Sequence, residues 1–212
     1  MNETITAYHG TIKIDKIIGA RKLYCLFVLG QIRLSDYLNE SLQKEDLDLI
    51  LQKPFQKYDE LTLQCADYVR ELAKKGQLND YAAKLKEANC DENLADLGES
   101  SGVLPFSLRI EYDHLKRNLF VYLSSSFHIG NHFAVSKRIG QEGKPQSAMM
   151  EFAIPYELIR PGNPATNSNI LVKKELSLER MTKLYVPEEH KKHYENLLRS
   201  EGFDNVSVQL LE

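Results

Sequence analysis

The sequence predicts an α+β fold with helices gathered in the first half of the chain and strands in the second. Apolar residues recur with helical period between about residues 35 and 93, and compact β-rich runs follow from about residue 104 to the end. The 212 residues are 42% hydrophobic and 27% charged, which suits one well-buried core and excludes disordered and fibrous classes.

Taken in order, residues 4–9 read as a short strand ending in the turn Gly10-Thr11. Ile14, Ile17 and Ile18 then recur at helical spacing, predicting a short helix that ends near Gly19. Three apolar faces follow: Leu47, Ile50 and Leu51; then Leu61, Cys65, Tyr68, Val69 and Leu72; then Tyr81, Leu85 and Ala88. Punctuated by Pro54 and Gly76, they predict three or four helices forming a lobe inserted at 35–93. The glycine- and serine-rich stretch 98–102 reads as a loop. Residues 104–112 alternate like a strand. The runs 118–123, 148–154 (closed by Pro155), 170–173 and 183–186 are further strands. A helix over 188–200, stopped by Gly202, and a strand over 206–210 complete one domain spanning 1–212.

Composition narrows the function. With 27 basic against 30 acidic residues the net charge is −3, so a generic nucleic-acid coat is disfavoured. The three cysteines, Cys25, Cys65 and Cys90, are widely spaced and form no CxxC pair, which argues against structural zinc or a disulfide framework. His128 and His132 stand four apart, a step a metal tolerates on a helix, but no third ligand or HExxH pattern accompanies them. No basic or apolar leader opens the chain, and its apolar runs fall short of the roughly 20 residues a membrane helix needs. The expectation is a cytoplasmic protein with no membrane partner and no bound metal.

Two segments carry the residue types of a ligand site. Tyr8-His9-Gly10-Thr11 ends a strand with an imidazole and a glycine whose backbone a ligand can approach. A lone histidine is more commonly a satisfied core or surface residue. The run 121–127 leads a strand ending in Tyr122 through Ser124, Ser125 and Ser126 into a short helix that carries Phe133. Tyr122 and Phe133 suit either a core or a sandwich around a flat heteroaromatic ring.

Taken together, the two segments resemble the diphtheria-toxin-like and poly-ADP-ribose-polymerase-like mono-ADP-ribosyltransferases, the His-Tyr-Glu group. The resemblance spans about residues 4–20 and 104–190 and treats the helical lobe as an insertion. It implies a split β-sheet whose cleft binds NAD⁺ as co-substrate. In this chain His9 would contact the ribose, the Gly10 backbone would meet the nicotinamide amide, and Tyr122 and Phe133 would bracket the ring. Thr11 and Ser124 would line the pocket. Phe133 stands where the toxin pattern has a second tyrosine, and it still stacks.

The family's late glutamate, which stabilises the ribose cation as nicotinamide leaves, has no direct counterpart here. Asn169 holds that position, at the opening of the run 169–173. Glu175 lies six residues on and would share Asn169's face of an uninterrupted strand, so Glu175 is the expected catalytic carboxylate, with Glu151 as second candidate. The resemblance implies transfer of ADP-ribose to a protein or nucleic acid, as in toxins and anti-phage defence effectors, with an antitoxin as a further partner. Two other readings stand beside it. One is an inactive NAD⁺- or ADP-ribose-binding module, motivated by Asn169; the other is an interaction protein acting through its helical lobe. Lys137-Arg138 is a surface pair that would suit a pyrophosphate.

Overall fold

The computed structural model describes residues 3–11, 13–38, 44–78, 88, 90–136, 148–161 and 169–211, with the side chains at 37, 38, 44, 45 and 132–136 outside the description. It is a mixed α+β protein. Contacts gather into two compact units: Met1–Tyr24 with Val121–Arg160 and Pro164–Glu212, and Cys25–Phe120 with Pro161–Asn163.

The first unit is built on a mixed sheet. It comprises β1 (Thr4–Thr11), β3 (Phe120–Ser124), β4 (Ala148–Pro155), β5 (Asn169–Lys173), β7 (Met181–Val186) and β8 (Ser207–Leu210), ordered β5-β3-β1-β4-β7-β8. β4 is central and buried along nearly its whole length, which explains its near-continuous apolar sequence. Antiparallel partners share a face. One face therefore carries Tyr8, Glu151 and Lys183, with Gly10, Met149 and Tyr185 beside them. The other carries His9, Met150 and Leu184, and Ala7 with Phe152. The β4–β7 register slips between Glu151 and Phe152, leaving Thr182 as the extra residue of a β-bulge.

Helix α6 (Phe127–Ser136) lies on the Tyr8 face. Gly130 permits the approach: a Cβ there would sit 2.7 Å from Tyr8 Cβ and 3.0 Å from Met149 Sδ. α1 (Ile14–Ala20) buries Ile14 and Ile18, and α7 (Lys191–Ser200) buries Tyr194 and Leu198. β2 (Lys22–Tyr24) and β6 (Glu175–Ser177) pair as a separate two-stranded sheet.

The second unit is helical: α2 (Leu26–Leu38), α3 (Lys44–Lys74), α4 (Asp91–Ser100) and α5 (Phe106–Leu119). Tyr58 of α3 stacks on Tyr112 of α5 with ring centroids 5.7 Å apart and meets Phe120 edge-on at 5.1 Å. Each such pair adds about 0.5–1.5 kcal/mol beyond burial. Buried Lys116 is held by Asp96 and Glu99, and the Tyr112 hydroxyl donates to Asp96. Burial alone would lower the Lys116 pKa, but the two carboxylates outweigh it and raise it. Cys65 sits fully buried beside this network, its thiol pushed up to about 12 chiefly by burial.

Several expectations need correcting. Residues 104–112 are not a strand: α5 starts just after Pro105, and its inward residues Tyr112, Lys116 and Leu119 follow the 3.6 period that short alternation had masked. Residues 98–100 belong to α4, and Gly98 is there because a Cβ would strike Val69 at 2.7 Å and Leu104 at 2.9 Å. The helices of the second unit begin at Leu26, well before residue 35, and extend past 93 to Leu119. Pro54 does not end a helix; it lies inside α3. The helix expected over 188–200 starts as a 3₁₀ turn, Glu188–His190, and becomes α-helical at Lys191. Tyr81, Leu85 and the pair Lys137-Arg138 lie outside the described residues. Among the described residues no helix is long and apolar enough to cross a membrane.

Candidate functional site

The sheet is barely joined between β1 and β3. These strands register at a single pair, Tyr8↔Ser124, whereas β1 and β4 register at eight. Continued pairing would set His9 beside Leu123 and Gly10 beside Tyr122; no such pair is registered. There the His9 imidazole takes over, its Nδ1 lying 3.1 Å from the Tyr122 carbonyl oxygen. A carbonyl only accepts, so Nδ1 is the donor in this bond. The sequence thus brings two motifs 113 residues apart into direct contact.

The contact is ring to main chain, not ring to ring. Alternation sends the His9 side chain to the Ala7 face and Tyr122 to the face of Ser124 and Tyr8. Thr11 is buried, and its Oγ1 accepts from the Lys13 amide at 3.0 Å as β1 ends. Ser124 is buried too; its Oγ accepts the Ser126 amide at 3.0 Å, closing the turn from β3 into α6. Phe133 belongs to α6, but its side chain lies outside the described residues.

The carboxylates are dispersed. Lys174 adopts a left-handed conformation (φ 63°), so the strand breaks between Lys173 and Glu175 and the uninterrupted face expected from Asn169 does not exist. Glu175 lies on β6, opposite Tyr24, with Oε1 2.6 Å from Lys22 Nζ. The geometry ties it to the small sheet. Asn169 opens β5, the edge strand next to β3, and is exposed.

Glu151 is held differently. Only 7% exposed, its carboxylate accepts from Tyr185 Oη at 2.7 Å, Thr182 Oγ1 at 3.0 Å and Lys183 Nζ at 3.2 Å. The bulge at Thr182 brings three donors from one short stretch of β7 onto a single carboxylate. Burial alone would raise the Glu151 pKa; the hydrogen bonds from Tyr185, Lys183 and Thr182 outweigh it and hold it below the ordinary value. The Tyr185 phenol is pushed up to about 12, by burial first and then by its bond to Glu151. Its ring meets Phe127 edge-on at 5.2 Å, and Phe127 in turn meets Tyr8 at 5.6 Å.

No family model, curated protein or solved structure matches the chain.

Sequence reasoning singled out Glu151 but not its donors. Thr182 follows a 3₁₀ turn, Leu178–Arg180, and nothing in the residue order signals the bulge that aims it inward. Phe127 and Gly130 were legible only as part of a short helix. Among the described residues no three His, Cys, Asp or Glu side chains gather as metal ligands.

Proposed function

We propose that the chain is an NAD⁺-dependent ADP-ribosyltransferase that holds NAD⁺ at the opening between β1 and β3. It would cleave the nicotinamide–ribose bond and pass ADP-ribose to a macromolecular acceptor. One observation carries the reading: beyond the Tyr8–Ser124 pair β1 and β3 part, and the His9 imidazole reaches across to the Tyr122 carbonyl. A central sheet that parts beside a glycine leaves main-chain groups for a flat amide to bind. An imidazole held at that edge by its Nδ1 is of the type that hydrogen-bonds a ribose hydroxyl. Tyr122 and Phe133 would supply stacking faces, with Ser124 on the Tyr122 side of the sheet and Thr11 on the His9 side.

The acceptor is better argued as protein than as nucleic acid. The helical unit Cys25–Phe120 carries 17 Asp and Glu against 12 Lys and Arg, a balance that repels phosphate backbones.

A second reading has its own support: NAD⁺ or ADP-ribose bound without turnover. Asn169 opens β5 where the family has its glutamate, and Glu175 is engaged with Lys22 in the small sheet. Calorimetric NAD⁺ titration together with nicotinamide release separates the two. The transferase reading expects both binding and release, and loss of both in His9→Ala. Binding without release, with release gained in Asn169→Glu, selects the second reading. Absence of NAD⁺ binding by the intact chain sinks both.

A further inference from the structure

We infer that Glu151 is a positioning residue for the nicotinamide end of the site, acting through Tyr185 and Phe127 rather than on the reacting atoms. This inference rests on the NAD⁺-binding reading above. A buried carboxylate needs a reason: replacing a buried ion pair by apolar groups of like volume is commonly neutral or stabilising. Its arrangement supplies one. Thr182, Lys183 and Tyr185 converge on it from the bulge, so the carboxylate fixes where the Tyr185 phenol sits. The Tyr185 ring abuts Phe127 at 5.2 Å, and Phe127 abuts Tyr8 at 5.6 Å, both edge-on.

Phe127 is the first residue of α6, and Gly130, one turn on, rests against Tyr8 and Met149. The beginning of α6 is thereby clamped at two points to the face of the sheet that carries Glu151. α6 is also the element bearing Phe133, the second ring proposed to bracket nicotinamide. A supporting shell that holds one wall of a pocket governs affinity for the ligand part touching that wall. The wall here is the nicotinamide side, so the expected signature is selective: NAD⁺ is affected and ADP-ribose, which lacks nicotinamide, is not.

The test compares calorimetric affinities for NAD⁺ and ADP-ribose in the intact chain and in Glu151→Leu, Glu151→Gln and Tyr185→Phe, with thermal melting to establish folding. Glu151→Leu should weaken NAD⁺ about tenfold while ADP-ribose changes less than about twofold. Glu151→Gln keeps acceptor capacity for Tyr185 and Thr182, and should return NAD⁺ affinity to within about threefold. Tyr185→Phe retains the ring but cuts the tether, and should move the NAD⁺ to ADP-ribose ratio in the same direction; should Glu151→Leu not fold, this variant decides alone. An unchanged ratio in the folded variants overturns the inference, as does equal weakening of both ligands. Glu151→Gln that binds NAD⁺ normally yet releases no nicotinamide, where the parent chain does, overturns it by making Glu151 catalytic. If the parent chain binds neither ligand, the NAD⁺ reading itself has failed.

Discussion

Gly130→Ala is the perturbation whose cost the structure defines most closely. The new Cβ would stand 2.7 Å from Tyr8 Cβ and 3.0 Å from Met149 Sδ. The methionine sulfur is part of a flexible chain and can give way. Tyr8 Cβ cannot, because it is bonded to the backbone of β1, which is paired with β4 along all eight residues. Either α6 lifts or the strand shifts, and such overpacking costs about 1–3 kcal/mol. Against this, alanine is up to about 1 kcal/mol better than glycine inside a helix. The net destabilisation should therefore be about 1 kcal/mol, with the steric part isolated by a control. Gly19→Ala, in α1 of the same unit, meets nothing within 4 Å and should be neutral or stabilising. Urea titration of both variants should separate them by about 1–3 kcal/mol, and hydrogen exchange of β1 and β4 amides should place the loss in the sheet unit. Gly130→Ala as stable as Gly19→Ala would refute the close helix–sheet contact and with it the clamp on α6.

Two further outcomes follow from the carboxylates. The Glu151 pKa is depressed in the folded state, so the stability it contributes is present above the ordinary carboxylate value of about 4.3 and is lost as pH falls through the lower folded value. Urea midpoints measured from pH 7 to pH 3 should thus drop more steeply below about pH 4.3 for the parent chain than for Glu151→Gln; parallel curves would count against the three-donor arrangement. Glu175→Gln removes a partly exposed ion pair with Lys22 and should cost less than about 1 kcal/mol, with NAD⁺ affinity unchanged. If Glu175 nonetheless carries the charge for transfer, nicotinamide release in that variant falls at least about a hundredfold.

The sheet was more legible in the sequence than the helices. β4 and β5 announce themselves because buried strands read as short continuous apolar runs bounded by Pro155 and by charged or polar residues. α5 misled because a window of nine residues with aromatic and branched side chains satisfies both periods until Lys116 and Leu119 are included. α2 was missed because its glycine and its clustered apolar residues blur the amphipathic pattern. Of the motif residues, His9 and Tyr122 stand out by type and spacing. The structure joins the His9 ring to the Tyr122 main chain, but strand alternation sends the two side chains to opposite faces of the sheet. The supporting residues do not stand out, since Tyr185, Phe127 and Gly130 matter through contacts across β1, β4, β7 and α6, which no local pattern encodes.

The break at Lys174 bears most directly on the chemistry. On a continuous strand an even step keeps two side chains on one face, and on that basis Glu175 could substitute for a carboxylate at 169. A residue in the left-handed region costs about 1–2 kcal/mol without glycine, and the chain accepts that cost at Lys174 while pairing Glu175 with Tyr24 of β2. Arg21, which precedes β2, is also left-handed (φ 56°), and its carbonyl accepts from the Leu178 amide just after β6. Both strands of the small sheet are thus entered through a strained residue, and the Lys22–Glu175 ion pair lies between them. That arrangement accounts for Glu175 as a part of the small sheet without any ligand. It leaves Asn169, exposed on the strand next to β3, as the position where the proposed NAD⁺ reading would put a carboxylate, so Asn169→Glu is the more informative substitution of the two.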